Sequence, residues 1–463
     1  MAAPPPTLVF KVHRREPELL RPAKPTPHEF KDLSDIDDQE GLRTMYVRGI
    51  VFYRYSPLMQ GKDPVKIVRE ALAKTLVFYY PLAGRLREGP NRKLSVECTG
   101  EGVLFIEADA DVTLEQFGVA PQFPYPCIDE LVFDVPGSTG IVNCPLYLVQ
   151  VTRLKCGGYI LACRYNHAMC DILGNHQFWL AVSEIARGEE VPSILPVWER
   201  HLLSASDPPK VTHQHLEYID STAPNAADHH TSNKEEEEEL VDRSFVFGPK
   251  ELSALRSLAP PGRHSIYEIL AACLWKCRTI ALQLHPDEEV RVMSVVNARF
   301  RPEYNPPLPV GYYGNGFVLP VALTTAGNLI QNPIGFALDL VKKAKNQFSS
   351  EYVKSVASLM VLKDRPHFVT GTKTFLVSDI KYFDHFDFGW GKAVAGGSAD
   401  AGYGEFPGCS YLMSFTDENG EKGIVFSLSL PPPAMERFAG ELQLMLHPTT
   451  TAHLESKLVK SSL

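Results

Sequence analysis

The stretch Tyr165-Asn166-His167-Ala168-Met169-Cys170-Asp171-Ile172-Leu173-Gly174 decides how the rest of this chain is interpreted. Before it, residues 146–154 and 159–165 are rich in strand-forming side chains, and Lys155-Cys156-Gly157-Gly158 between them predicts a hairpin turn. After it, residues 175–187 carry apolar side chains at helical spacing and stop before a glycine. His167 is therefore expected where a strand ends and the chain turns toward a helix, a common position for a catalytic side chain.

The imidazole of His167 could take a proton from an alcohol and later return it, because it titrates near pH ~6.5. The His-x-x-x-Asp pattern is also compatible with two roles outside catalysis. A structural histidine fits the pattern alone equally well. A metal-binding pair is less favoured, because no HExxH-type partner or clustered third ligand lies nearby in the sequence.

Composition excludes several classes of protein. The chain has 463 residues, of which 44% are hydrophobic, enough for large cores and more than one domain. A net charge of −9 without a basic stripe argues against nucleic-acid binding. No apolar run reaches the ~18–20 residues of a membrane span, and residues 1–7 lack the features of a secretory signal. Nine cysteines without a CxxC pair suggest reduced thiols, so a soluble intracellular protein is expected.

A change of composition divides the chain near its middle. Residues 204–243 are polar and include the run Glu235-Glu236-Glu237-Glu238-Glu239, which predicts a solvated, partly disordered crossover linker. The second half begins its own pattern, with Ser265-Ile266-Tyr267-Glu268 as a capping box before a long helix. No P-loop, GxGxxG after a strand or GxSxG elbow is present, which removes most nucleotide-binding enzymes and α/β-hydrolases.

Several motifs together resemble one protein family, the BAHD acyltransferases of plants. His167-x-x-x-Asp171 is followed in the second half by Asp387-Phe388-Gly389-Trp390-Gly391. Tyr80-Pro81-Leu82-Ala83-Gly84-Arg85 and Pro306-Pro307-Leu308-Pro309-Val310-Gly311-Tyr312-Tyr313-Gly314-Asn315 match other landmarks in the expected order. Within the family, Leu33-Ser34-Asp35-Ile36-Asp37-Asp38-Gln39-Glu40 resembles the corresponding stretch of benzyl alcohol O-benzoyltransferases and of fruit and flower alcohol acyltransferases.

This resemblance implies an α/β protein with two chloramphenicol-acetyltransferase-like domains of mixed sheets and a channel between them. The expected divisions are an N-terminal domain at 1–203, the acidic linker at 204–243 and a C-terminal domain at 244–463. His167 would act as general base, with acyl-CoA and a small alcohol as substrates. No metal and no cofactor are expected, since acyl-CoA is a co-substrate, and the protein is expected to be a monomer.

The resemblance assigns structural roles to Asp171, Gly174 and the residues around them. In the family the motif aspartate points away from the substrate and pairs with an arginine. Arg299 of Asn297-Ala298-Arg299 fits that place, so an Asp171–Arg299 ion pair is expected, with Arg301 as the competing candidate.

The resemblance also implies roles for the later motif and for two serines. Asp387, Phe388, Gly389, Trp390 and Gly391 are expected to form a structural turn, with Trp390 filling space near the CoA mouth. Ser265 would hold a CoA phosphate or serve only as a helix cap, and Ser378 would lie near the pantetheine arm.

Departures from the usual family pattern bear on the substrate. Ile172 stands where glycine or alanine often follows the aspartate, and it could narrow the pocket. Val377-Ser378-Asp379 replaces the Thr-Ser-Trp of hydroxycinnamoyl transferases, which argues against shikimate or quinate as acceptor. The expected reaction joins benzoyl-CoA and benzyl alcohol. The alternatives are another acyl donor or acceptor, such as acetyl-CoA with aliphatic alcohols, or a non-catalytic binding relative.

The chain ends in Ser461-Ser462-Leu463, which resembles the Ser-Lys-Leu address of peroxisomal import. The middle residue is serine instead of the usual basic one. The cytosol is therefore the expected compartment, with the peroxisome as the alternative.

Overall fold

The computed structural model describes residues 8–118, 121–219, 240–381, 386–402, 408–417 and 420–447. Helices and strands are mixed in both halves, and each half contains a large sheet, which confirms the α/β prediction. The acidic run at 235–239 and the last residues, 448–463, lie outside the described parts of the chain.

The strands and helices are as follows. The strands are β1 (Val12–Arg14), β2 (Glu18–Leu20), β3 (Phe30–Asp32), β4 (Tyr46–Tyr53), β5 (Arg85–Glu88), β6 (Leu94–Glu97), β7 (Val103–Ala110), β8 (Tyr147–Leu154), β9 (Tyr159–Asn166), β10 (Val241–Phe247), β11 (Glu289–Ser294), β12 (Val296–Asn297), β13 (Phe317–Val318), β14 (Val321–Thr325), β15 (Thr374–Asp379), β16 (Ala395–Ser398), β17 (Cys409–Thr416) and β18 (Lys422–Leu430). The helices are α1 (Glu40–Thr44), α2 (Pro64–Thr75), α3 (Ile128–Leu131), α4 (Ile172–Ala186), α5 (Pro249–Leu258), α6 (Ile266–Ala281), α7 (Ala326–Gln331), α8 (Ile334–Lys345), α9 (Ser350–Leu362) and α10 (Pro432–Leu446).

The first sheet is built around the predicted hairpin of β8 and β9. Its strand order is β1-β7-β8-β9-β4-β16, with β2 also paired to β7. Helices α2 and α4 pack together and contact β8 through buried side chains such as Leu72, Phe178 and Trp179. β16 comes from the second half of the sequence and pairs with β4, so Gly397 lies opposite Ile50. The glycine-rich stretch 395–398 shows no strand pattern, and the sequence analysis missed this strand.

The second sheet has the strand order β10-β18-β17-β15-β11-β14. Its pairings β11–β15 and β15–β17 are parallel, while β17–β18 and β10–β18 are antiparallel. Helices α5, α6, α8 and α10 cover one face with a core of apolar side chains. Both cysteines of α6, Cys273 and Cys277, are buried in this core.

A further core lies between the two sheets and joins the halves of the molecule. It contains Leu42 and Phe52 of the first half together with Val296, Leu376 and Tyr411 of the second. Because both sheets contribute side chains to one continuous apolar cluster, separating the halves would expose this surface to water.

Two helix starts are capped by side chains that lie close to them in the sequence. The side chain of Asp63 accepts a hydrogen bond from the backbone N–H of Val65 at 3.1 Å, which caps α2 ahead of Pro64. Ser265 and Glu268 form the predicted capping box of α6, with Glu268 N donating to Ser265 Oγ at 3.2 Å. Both signals depend on neighbours in the sequence, so they could be read without the fold.

The first part of the predicted linker differs from the expectation of a solvated segment. The side chains of His215 and Glu217 are 2% and 1% exposed. His215 Nδ1 lies 3.0 Å from Glu217 Oε1. Oγ of Ser355 on α9 lies 2.8 Å from His215 Nε2, and the Tyr352 hydroxyl donates to Glu217 at 2.9 Å. His215 and Glu217 therefore belong to a buried hydrogen-bonded cluster, whereas Asp207, Lys210 and Gln214 of the same segment are exposed, as expected of a linker.

Gly174 on α4 provides a test of how tightly the halves fit. A Cβ at this position would lie 2.0 Å from the carbonyl oxygen of Tyr313, so alanine requires a backbone shift. We expect Gly174→Ala to lower the free energy of unfolding by ~1–3 kcal/mol, as overpacking does. Gly440→Ala on the exposed face of α10 is the matched control, since a Cβ there meets nothing within 4 Å. It should be neutral or stabilise by up to ~1 kcal/mol. Equal urea midpoints of unfolding for Gly174→Ala and Gly440→Ala would show that the close approach of Gly174 to Tyr313 does not affect stability.

Candidate active site

His167 directly follows β9, and its backbone is held from both halves of the molecule. Its N–H donates to the carbonyl oxygen of Met45 at 2.8 Å. Its own carbonyl oxygen accepts a hydrogen bond from Nδ2 of Asn315 at 2.8 Å. The preceding residue, Asn166, pairs with Tyr46 at the end of the β4–β9 ladder. The side chain therefore projects from a fixed point on the sheet, as the sequence predicts.

The imidazole of His167 is enclosed by aromatic side chains. The residue is 9% exposed, and its ring centroid lies 5.9 Å from that of Phe317 and 6.5 Å from that of Tyr165. Burial lowers the pKa of His167 below the ordinary value of 6.5, while the charge of Asp171 opposes that shift. The lowered pKa keeps the ring neutral at neutral pH, which is the form that can accept a proton.

A cavity of about 90 Å³ opens beside His167, between the two sheets. Its polar lining, besides His167, consists of Arg48, Asp171, Asn297, Ser378 and Ser398. The remaining lining is mainly apolar and aromatic: Leu42, Met45, Val47, Tyr165, Ile172, Val295, Phe317, Leu319, Phe368, Leu376, Ile380, Cys409 and Tyr411. A mostly apolar wall with a few polar groups is typical of a site for a small organic molecule.

Asp171 caps α4 and ties it to the second half. Its Oδ1 accepts the backbone N–H of Gly174 at 2.9 Å. Its Oδ2 accepts from Arg299 Nη1 at 2.6 Å and from the backbone N–H of Gly316 at 3.0 Å. The structure thus places Arg299 against Asp171, whereas the guanidinium of the competing candidate, Arg301, lies over the ring of Phe348.

A buried network behind His167 was missed by the sequence analysis. Asp37 Oδ1 accepts from the backbone N–H of Asn315 at 2.8 Å and from its Nδ2 at 2.9 Å. Arg200 Nη1 lies 2.8 Å from Asp37 Oδ2, and Arg200 Nη2 donates to the carbonyl of Met169 at 2.8 Å. Asp37 therefore anchors both side chains that hold the backbone of residues 167–169. Asp37 and Asn315 lie in the stretches quoted for the family resemblance, but no local pattern around Arg200 indicated its role.

Ser378 and Ser265 lie in different places. Ser378 on β15 lines the cavity beside His167. Ser265 is exposed at the start of α6, where its side chain serves as the helix cap.

The glycine-containing motif of the second half packs against the first sheet. Asp387 Oδ1 accepts the backbone N–H groups of Gly389 at 2.8 Å and Gly391 at 3.0 Å, and both glycines have positive φ. Phe388 and Trp390 are buried in the core of the first half. Trp390 Nε1 donates to the Tyr159 hydroxyl at 3.1 Å. The motif thus closes a turn and fills the core beside β9.

The described residues form neither a metal site nor a membrane-spanning helix. No group of three or more His, Cys, Asp or Glu is placed there to hold a metal ion. No helix among them is long and apolar enough to cross a membrane.

The comparisons with known proteins agree with this architecture. The structure resembles that of vinorine synthase with a TM-score of 0.71 and 21% sequence identity, over 94% of this chain and 98% of the other. It also resembles TRI101 of F. graminearum, crystallised with coenzyme A and deoxynivalenol, with a TM-score of 0.68 and 16% identity, over 88% and 96% of the chains. The two-sheet architecture with His167 between the sheets is the chloramphenicol-acetyltransferase-like fold, as predicted.

The family is shown by sequence. Residues 10–445 match the model of the Transferase family. The chain is 56% identical to the benzyl alcohol O-benzoyltransferase of Petunia hybrida over 95% of this chain and 94% of the relative. It is 49% identical to the (Z)-3-hexen-1-ol acetyltransferase of Arabidopsis thaliana over 95% and 96%. The chain belongs to the Transferase family, the BAHD acyltransferases, and the protein is an acyltransferase.

The Asp171–Arg299 pair can be tested by removing one charge without changing shape. We expect Asp171→Asn to leave Arg299 unpaired with a side chain only 10% exposed, and to cost ~3–5 kcal/mol of stability together with activity. Glu18→Gln is the control, because the Glu18–Arg69 pair is 45% and 43% exposed and should change stability by less than ~1 kcal/mol. A fully stable but inactive Asp171→Asn protein would show that Asp171 acts directly in the chemistry.

Proposed function

We propose that the protein is an acyl-CoA-dependent alcohol O-acyltransferase that makes benzyl benzoate and CoA from benzoyl-CoA and benzyl alcohol. Relatives named for benzyl alcohol at 56% identity support this choice of substrates. The aromatic side chains of Phe317, Phe368 and Tyr411 around the cavity also support it, because they suit a flat aromatic ring.

In the proposed reaction His167 is the general base. The imidazole takes the hydroxyl proton of the alcohol as its oxygen attacks the thioester carbonyl. The tetrahedral intermediate then collapses, the carbon–sulfur bond breaks, and the CoA thiolate leaves and receives the proton from His167. An ester and free CoA result, and no cofactor takes part.

One observation carries this proposal, namely the position of the buried His167 imidazole in the wall of a mostly apolar cavity. Burial lowers its pKa although the charge of Asp171 opposes that shift, so the ring is neutral and can accept a proton at neutral pH. The apolar wall also limits competing hydrolysis, because it leaves little room for ordered water beside the thioester.

We propose that the phosphates of acyl-CoA bind near the start of α6. Ser265 lies there beside Arg263 and His264, and Lys342 of α8 donates to the carbonyl of Arg263 at 3.1 Å. Basic side chains at the N-terminus of a long helix attract phosphate groups. Ser378, in the cavity, would then lie along the path of the pantetheine arm.

The first test is a donor-by-acceptor panel with purified protein and a His167→Ala variant. We expect benzoyl-CoA with benzyl alcohol to give the highest kcat/KM, and His167→Ala to lower kcat by ~10²–10⁴ with little change in stability. Higher kcat/KM for acetyl-CoA with aliphatic alcohols would select the alternative substrates. Absence of turnover across the panel would favour a non-catalytic binding relative.

The pH profile gives a second readout of His167. The base must be neutral, and burial places its pKa below 6.5. As the pH decreases, kcat/KM should therefore begin to fall only at pH values below the ordinary histidine pKa. Near-normal turnover by His167→Ala, or the same acid limb in its residual rate, would overturn the assignment of the base.

For the compartment we propose the cytosol, with the protein as a monomer. All nine cysteines are free thiols, which is typical of a reducing compartment. The expected alternative, peroxisomal import through Ser461-Ser462-Leu463, is tested by imaging an N-terminal fluorescent fusion with and without these residues. We expect a diffuse signal from both, and punctate signal lost on truncation would select the peroxisome.

A further inference from the structure

Two cavities of the molecule meet at Arg48 on β4. The inner cavity is the one of about 90 Å³ beside His167. The outer cavity, of about 330 Å³, is lined by Phe123, Tyr125, Asp129 and Asp400 among others. Among the described lining residues, Arg48 is the one common to both cavities. The outer cavity borders solvent, because the side chain of Asp129 is 88% exposed.

The guanidinium of Arg48 is held between two carboxylates. Nη1 lies 3.0 Å from Asp400 Oδ1, and Nη2 lies 2.9 Å from Asp129 Oδ1. Nη2 also donates to the carbonyl oxygen of Val132 at 3.4 Å. The pair with Asp129 has one well-exposed partner and is weak for that reason. The pair with Asp400 is much less exposed, at 17% and 29%, so Asp400 is the carboxylate that sets the position of the Arg48 guanidinium.

The charge of the outer cavity decides which substrate suits it. Among the described residues that line it, Asp129, Asp242 and Asp400 are acidic and Arg48 is the one cation. This net negative charge repels the phosphates of acyl-CoA, whereas a neutral alcohol is not repelled. The aromatic rings of Phe123 and Tyr125 offer an apolar surface to such an alcohol.

We propose that the outer cavity admits the alcohol and that Arg48 is the residue that selects alcohols by size at the entrance to the inner cavity. This inference rests on the proposed alcohol acyltransferase function. Arg48 acts before the chemistry, by setting the width of the passage that the alcohol must cross to reach His167.

The test compares a bulky and a small alcohol, 2-naphthylmethanol and benzyl alcohol, with one acyl-CoA. Arg48→Met keeps the length of the side chain but removes both ion pairs. We expect the ratio of kcat/KM for the bulky over the small alcohol to rise about tenfold, which is typical of a change in one pocket contact. The KM for acyl-CoA should stay the same, because the donor does not pass Arg48.

Two further variants make the result specific. Asp400→Asn weakens the hold on Arg48 while keeping the guanidinium, and it should raise the same ratio by a smaller factor. Arg15→Met is the matched control, since the exposed Arg15 guanidinium also lies near two carboxylates, Glu107 and Asp109, and lines neither cavity among the described residues. It should leave the ratio unchanged. If Arg48→Met fails to fold, the ratio of kcat/KM values measured for Asp400→Asn tests the proposal instead.

The ratio should also depend on pH in the wild-type protein. Burial raises the pKa of Asp400 to about 6, so the carboxylate that holds Arg48 becomes neutral as pH falls from 7 to 5. The charged groups that act on it are Arg48 of β4, Asp129 of α3, Asp134, and Asp242 of β10. The ratio should rise at low pH in the wild type and stay flat in Asp400→Asn. The protonation of His167 cancels, because both alcohols use the same base.

The outcomes separate the two proposals. An active wild type with an unchanged ratio in both Arg48→Met and Asp400→Asn would overturn the role of Arg48 alone. A wild type without turnover for any alcohol would overturn the proposed function, and the role of Arg48 with it. An equal rise in the ratio for Arg15→Met would show that loss of any paired arginine has this effect and would also overturn the inference.

Discussion

A single buried carboxylate, that of Asp171, connects the parts on which the site depends. It caps the helix that follows the His167 turn and accepts hydrogen bonds from Arg299 and Gly316 of the second half. A carboxylate so far from water is stable only when every oxygen has a partner. The geometry of the turn and the docking of the two halves are therefore parts of one arrangement, and neither can change without the other.

The local features of this site could be predicted from the sequence, and the long-range ones could not. The hairpin, the strand end at His167 and the helix starts at Pro64 and Ile266 depend on residues close together in the chain. The Asp37–Arg200–Asn315 network joins three distant segments, and no spacing rule connects them. For the same reason, the resemblance to the family could point to the motif stretches without showing what their side chains hold.

The predicted linker shows how composition alone can mislead. His215 and Glu217 look like surface residues in a polar stretch, yet they are buried beside Tyr352 of α9. Their neighbour Tyr218 stacks on Phe368, which in turn lines the cavity beside His167. A connection between the halves thus also packs behind the wall of the cavity beside His167. Polar residues pack inside a protein when each finds a partner, and a sequence does not reveal the partner.

The strand β16 has a consequence for how the protein is made. It completes the first sheet beside β4, although the ribosome adds it after most of the chain. During those tens of seconds of synthesis the edge of β4 has no partner strand. An open strand edge invites pairing with another chain, so the first half presents such an edge until residues 395–398 emerge. The same late pairing makes contacts of large sequence separation, which slow folding.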